Sequence, residues 1–192
     1  MGRAFMSIRE ADLDFENSLV HITANRSCPE IKLAGLTVGP FDEGSEYEVL
    51  FWVAEELVSA GVARFHAEDL LDVGKLGKIQ WMERVQTAGQ MSKLPEGFYP
   101  KLRRCIAETR KLVGNNPEKM RELERMDQLT KDIVNSRMRK IVTFATSPAQ
   151  TESSMRNLTV EERLLYERLY HVINRWKSQI LSPEEKEKET DG

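Results

Sequence analysis

Apolar residues change their period along this chain, from alternation in its first third to helical spacing in the rest. Residues 19–24, LVHITA, are β-branched and apolar and predict a strand. Residues 25–30, NRSCPE, form a turn, and residues 31–33 a second short strand. Gly35, Gly39 and Pro40 leave at most a three-residue strand over 36–38. After an acidic loop, DEGSE at 42–46, Tyr47 and Val49 continue the alternation. Residues 53–58, VAEELV, then take helical spacing, Gly61 stands where a C-cap glycine would, and residues 62–65 return as a strand. The acidic stretch READLDFE, 9–16, reads only as a lead-in.

From residue 68 the β character is lost. Leu70, Leu71, Leu76, Ile79 and Met82 are spaced for a helix. Gly74 and Gly77 each cost about 1 kcal/mol against alanine there, so a bent or weak helix is expected. LPEGFYP, 94–100, reads as a corner, and residues 101–113 as a helix. In GNNP, 114–117, Asn116 is an N-cap and Pro117 a first helical residue. A long helix follows over 118–145, with Leu123, Met126, Leu129, Ile133, Val134, Met138, Ile141, Val142 and Ala145 covering more than one narrow stripe. After a polar loop, 147–154, TVEE at 159–162 is a capping box opening the last helix. There Leu165, Leu169, Val172, Trp176 and Ile180 follow one face at spacings of three and four, while Leu164, Tyr166, Tyr170 and Ile173 form a second apolar side. One small domain cannot easily bury both sides, and apolar surface of that extent marks a protein contact.

The pattern predicts an α+β architecture: a small N-terminal β-rich module over 1–66, then a mostly α-helical bundle domain over 67–181, with a charged and disordered tail over 182–192. Composition narrows the function. The chain has 192 residues, 40% hydrophobic and 31% charged, as in a globular protein with a core and a heavily solvated helical surface. Apolar runs fall short of the roughly 18 residues a membrane span needs, and the first residues lack a secretory signal, so an intracellular protein is expected. Cys28 and Cys105 stand far apart with no metal-ligand spacing, which suits reduced thiols in a cytosolic or nuclear compartment. A net charge of −3 disfavours stand-alone binding to duplex DNA.

Candidate chemistry is thin. His21, His66 and His171 have no partner residues at catalytic or ligand spacing, and nucleophile and metalloprotease motifs are missing, so no catalytic residue, metal or cofactor is expected. The methionines are scattered as gap fillers. GPFDEG, 39–44, fails as a phosphate cradle because proline removes an N–H and Asp42 and Glu43 repel the anion. Its reading is structural: Gly39 and Pro40 turn the chain, and Phe41 and Trp52 join the small core, with a partner-facing role for one of the two as the alternative. Arg103, Arg104, Arg110 and Lys111, with Arg137, Arg139 and Lys140, could contact a phosphate backbone, which sustains an alternative reading as a DNA-binding helical regulator. Interleaved Glu108, Glu122, Glu124 and Asp132 favour salt-bridged helix faces instead.

The run LAGLTVGPFDEGSEYEVLFWVAEEL, 33–57, closely resembles the β module of GINS subunits, a family of replication factors. FHAEDLLDVGKL from residue 65 is similar to that family's entry into its helical domain, LPEGFYPKL from 94 to its Leu-Pro-x-x-Phe-Tyr corner, and DQLTKDIVNSRMRKI from 127 to its long helix. NLTVEERLLY from 157 resembles the start of its last helix. Leu50 and Phe51 depart from the pattern, standing where related chains often carry proline, and the first eleven residues have no clear counterpart.

Family members carry either the helical domain or the β module first. With the β module first, this chain resembles the archaeal subunit related to the second and third eukaryotic members, and the second most closely. The resemblance implies a non-catalytic replisome subunit, in a tetramer with the helical-first paralog at 2:2 or in a homotetramer. It also implies a place beside the minichromosome maintenance helicase and a RecJ-like nuclease-fold protein, with primase or polymerase as further contacts and DNA met mainly indirectly. The setting would be the archaeal cytoplasm at the nucleoid, or the nucleus in a eukaryote. The expected subunit interface comprises Leu165, Leu169, Val172 and Trp176 on the last helix with Met126, Ile133 and Ile141 on the long one, some of these serving the internal core.

Overall fold

The strand expected at LVHITA is the centre of a three-stranded antiparallel sheet. In the computed structural model, which describes residues 7–33, 35–66, 68–86, 90–146 and 155–182, β1 (Leu19–Ala24) pairs with β4 (Glu46–Leu50) on one side and β5 (Ala63–Phe65) on the other. Its alternation decides the faces: Val20, Ile22 and Ala24 are buried, whereas Leu19 and His21 are exposed. β2 (Ile31–Leu33) and β3 (Leu36–Val38) form a separate hairpin. α2 (Phe51–Ser59) packs on the sheet with Phe51, Val53, Ala54 and Leu57 inward, and these join Val20, Ile22, Phe41 and Val62 in one core. Gly61, at φ +70°, ends α2 in a Schellman motif: its N–H donates to the Val58 carbonyl and that of Val62 to the Leu57 carbonyl.

One element escaped the sequence reading. α1 (Ile8–Glu16) occupies the supposed acidic lead-in, opened by a capping box in which Ser7 and Glu10 each accept the other's N–H. Phe15 reaches Phe51 at 4.5 Å between ring centroids, and Asp12 pairs with Arg103 of the helical region.

Among the described residues, the remainder holds α3 (Val73–Val85), α4 (Phe98–Val113), α5 (Pro117–Thr146) and α6 (Val160–Leu181). α5 is the spine, since α3, α4 and α6 all pack against it. Leu71, Leu76, Ile79, Leu94, Phe98, Leu102, Met126, Leu129 and Ile133 make one core, and Met91, Ile141, Ala145, Leu158 and Tyr166 make a second. Two boundaries moved. α3 begins at Val73 rather than near 68, because the Asp72 carboxylate caps it by accepting the Lys75 N–H at 2.8 Å, leaving Leu71 to enter the core from a loop. α4 begins at Phe98, so residues 98–100 of the expected corner are its first turn, where Pro100 needs no N–H, while residues 94–97 stay outside the helix. Asn116 caps α5, accepting from the N–H groups of Glu118 at 3.0 Å and Lys119 at 3.3 Å. The supposed polar loop at 147–154 and the tail from 183 onward lie outside the described residues.

Candidate subunit interface

α6 starts inside the protein and finishes outside it. Its capping box joins the N–H of Glu162 to Thr159 Oγ1 at 3.3 Å and the N–H of Thr159 to Glu162 Oε2 at 3.0 Å. Leu164 and Tyr166 are buried, and Leu169, Tyr170 and Ile173 are half-buried against the second helical core. Every residue from 175 to 182 is exposed. Of the apolar face anticipated on this helix, Leu165, Val172, Trp176 and Ile180 face solvent, with Trp176 60% exposed and Val172 67%. Leu169 is instead half-buried against the second helical core.

Three of the interface candidates are elsewhere. Met126 and Ile133 lie in the core shared with α3 and α4, and Ile141 in the core shared with α6. Since α5 is covered along its length by three helices, its principal apolar stripe is consumed by intramolecular packing. What α5 leaves outside is Met120 in its first turn and then Val134, Met138 and Val142, at four-residue intervals. In the sheet region Phe41 is buried and held by two backbone bonds to Cys28 at 2.8 Å, while Trp52 is half-buried against the same core. Gly39 has φ +94°, and a Cβ there would press on the Phe41 ring at 3.2 Å, so glycine serves both the turn and the plug. Pro40 follows it through a cis peptide bond.

The base of α6 is fixed by a buried charge network that sequence reasoning had assigned to the surface. Arg137, 0% exposed, donates from Nε and Nη2 to both oxygens of Glu162 at 2.7 and 2.5 Å, a bidentate fork. Its Nη1 donates to Glu83 Oε1 at 2.8 Å and the Ser92 carbonyl at 2.7 Å, and its Nη2 also reaches the Asn157 carbonyl at 3.0 Å. Lys140 adds a contact from Nζ to Glu83 Oε2 at 2.8 Å, the Ser92 hydroxyl donates to Glu83, and Tyr99 Oη donates to Glu162 at 2.8 Å.

Two cations face two carboxylates, so the cluster is neutral as a whole. Burial pushes the Glu83 carboxyl up, but the hydrogen bonds from Lys140, Ser92 and Arg137 together hold it below the ordinary carboxylate range. Burial opposes the Arg137 charge, yet Glu162 and Glu83 keep the guanidinium firmly protonated. Tyr99 is held protonated by burial and by the adjacent Glu162. The network ties α3, α4, α5 and α6 together at one point, and it removes Arg137 and Lys140 from any encounter with a phosphate backbone. Among the other cations, Arg103 pairs with Asp12 and Arg104 with Glu55 and Glu108, while Arg110, Lys111 and Arg139 stay exposed.

Among the described residues the remaining histidines and cysteines do not converge on one point. His66 Nε2 lies 3.1 Å from Thr23 Oγ1 and 3.7 Å from Glu46, and His21 and His171 are exposed. Cys28 and Cys105 are free thiols; burial, followed by Glu108, raises the Cys105 thiol, whose Sγ lies 3.0 Å from the Leu71 carbonyl. Among the described residues no group of three or more histidine, cysteine, aspartate or glutamate side chains is arranged to hold a metal. No described helix is long and apolar enough to cross a membrane.

The chain is thus a helical bundle joined to a small sheet, with an apolar helix face turned outward. Residues 69–181, more than half the chain, match the model for the Sld5 family, described as the GINS complex protein helical bundle domain. The chain therefore belongs to the GINS family. The DNA replication complex GINS protein PSF2 of Homo sapiens is 28% identical over 160 residues, covering 82% of each chain, and that of Xenopus laevis is 25% identical over the same length and shares. Within the family, then, the chain is a subunit related to PSF2.

Proposed function

We propose that this chain is a non-catalytic subunit of a DNA replication complex, joining paralogous GINS subunits in a tetramer and holding the replicative helicase in its active geometry. The observation that carries the reading is the outward apolar face of α6, with Trp176 60% exposed on a bundle of this family. Leu165, Val172 and Trp176 form the contact with the paralogous subunit, and Leu169 supports them from below. The mechanism is differential binding: a scaffold that contacts the helicase ring better in one conformation shifts the ring toward that conformation by the difference in contact energy. The minichromosome maintenance helicase, a RecJ-like nuclease-fold protein, and primase or polymerase are the partners of this reading, and its place is wherever the chromosome replicates. The separate cores of residues 20–63 and 71–166 support a division into two domains near residue 66.

Intact-complex mass measurement after co-expression with the helical-first paralog tests this. The wild-type chain should assemble, and the Val172→Glu, Trp176→Glu double variant should not, while melting of the isolated chain stays within about 0.5 kcal/mol of wild type, as for exposed sites. Assembly by the double variant would defeat the assignment of this face. A direct DNA regulator is disfavoured because Arg137 and Lys140 are engaged inside the protein. A steep fall of DNA affinity with salt, measured on the purified chain, would restore it.

A further inference from the structure

We infer that the outer face of α3 is a second docking surface, distinct from the face of α6, and that its occupant is an acidic amphipathic helix of another protein. α3 turns Leu76, Ile79 and Glu83 to the interior. At about 100° per residue, Gly74, Gly77, Trp81 and Val85 fall within an arc of about 80° on the opposite side. Trp81 is 63% exposed and Val85 62%, so an indole and a branched side chain stand in water on a helix whose own packing is satisfied without them.

Gly77 supplies an independent observation. A glycine inside a helix is unfavourable relative to alanine, and the usual reason to keep one is close approach of another backbone. Nothing lies within 4 Å of a Cβ built at Gly77, so no contact within the described chain requires its absence; at Gly74 the nearest atom is Asp72 Oδ1 at 3.1 Å. The notch is open to the outside, one turn before Trp81. A notch beside an aromatic anchor suits a second helix, which can bring a small residue against Gly77 and lay apolar side chains over Trp81 and Val85.

Charge selects the kind of helix. Lys78 and Arg84 are exposed on α3, whereas its sole carboxylate, Glu83, is buried under Arg137 and Lys140. The Asp72 carboxylate at the N-terminus is occupied by capping, and the Lys75 ammonium by the Glu68 and Leu70 carbonyls. Across the groove between α3 and α5, Arg139 is exposed and Asp132 accepts from Gln128. Lys75, Lys78, Arg84 and Arg139 outnumber Asp72 and Asp132, so the rim is basic on balance and complements carboxylates flanking an apolar stripe. Two cations on α3 are few for a lipid surface or a duplex, and neither of those partners would use the notch.

The test uses the full chain and a fluorescein-labelled synthetic peptide of about 20 residues, with a leucine and alanine face flanked by glutamates, beside a twin carrying lysines instead. Anisotropy titrations should show the glutamate peptide binding at least about tenfold tighter than its twin. Trp81→Ala and Gly77→Leu should each weaken binding by about tenfold, and Lys78→Glu with Arg84→Glu should reverse the preference between the peptides. Gly77→Leu should not lower the melting temperature, which separates a blocked notch from a damaged fold. Binding should survive Val172→Glu with Trp176→Glu. Equal binding of the two peptides, indifference to Trp81→Ala, loss of binding in the α6 variant, or tighter capture by phosphatidylserine vesicles or duplex DNA than by the glutamate peptide would each overturn the inference.

Discussion

Removing Arg137 exposes how much the bundle depends on its buried charges. In Arg137→Met the methionine fills most of the space, but Glu162 loses its bidentate partner and keeps only the Tyr99 hydroxyl and the Thr159 N–H, and Glu83 keeps Lys140 and Ser92. The Ser92 and Asn157 carbonyls also lose their donor from the guanidinium. Breaking a buried pair by deleting one partner costs about 3–5 kcal/mol, because an uncompensated charge remains inside. Against a total stability of about 5–15 kcal/mol, and at about 2–4 °C per kcal/mol for a chain of this size, the melting temperature should fall by roughly 6–20 °C. Removing Glu162 as well, in Arg137→Met with Glu162→Leu, leaves Glu83 and Lys140 as a neutral pair and should recover a large part of the loss. Urea denaturation of the wild type, both single variants and the double variant closes a double-mutant cycle. A loss under about 1 kcal/mol in Arg137→Met, or simple additivity across the cycle, would refute the reasoning.

Acid provides a second approach. The Glu83 carboxyl titrates lower in the folded protein than in the unfolded chain, so its contribution is present above the ordinary carboxylate pKa and is lost as pH falls through the lowered value. Glu83→Gln should therefore be destabilised at neutral pH, and its deficit relative to wild type should shrink as denaturation curves are taken into that acid range. Gly61→Ala places a Cβ at φ +70° and should cost about 1–2 kcal/mol in thermal melts, whereas Gly44→Lys, also at positive φ but away from any helix end, should leave the α2 cap intact by amide exchange. Cys105 should react with a thiol reagent much more slowly than Cys28 at neutral pH, since burial raises its thiol; equal rates would contradict its packing.

Much of the fold was legible because each element carries its own punctuation. The strand at 19–24, the Gly61 stop, the Asn116 start and the Thr159 capping box are local signals and fell where expected. α1 was missed although Ser7 and Glu10 spell the same box as Thr159 and Glu162, because its acidic surface residues masked the spacing. The interface was harder to read. Periodicity distinguishes apolar from polar faces, but it cannot say whether an apolar face meets the same chain or another, so Met126, Ile133 and Ile141 were indistinguishable from Val134, Met138 and Val142.

The charge network did leave a trace in the pattern. Arg137 follows Ile133 and precedes Ile141 at four-residue steps, and Glu83 follows Ile79 in the same way, so each ionic residue occupies a position in an apolar stripe. Such a residue is buried with a partner or breaks the stripe. Choosing between these requires the partner, and Arg137 lies 54 residues from Glu83 and 25 from Glu162.

The guanidinium of Arg104 lies 4.7 Å from the centre of the Phe51 ring and 4.8 Å from that of Phe65, with its Nη1 2.8 Å from Glu55 Oε1 in an ion pair. Because the arginine belongs to α4 and both rings to the sheet region, the flat cation rests against a stacked ring pair, 5.7 Å between centroids, across the junction. The small sheet and the bundle thus share one cation, and shortening that side chain would loosen the ring contacts and the ion pairs with Glu55 and Glu108 together.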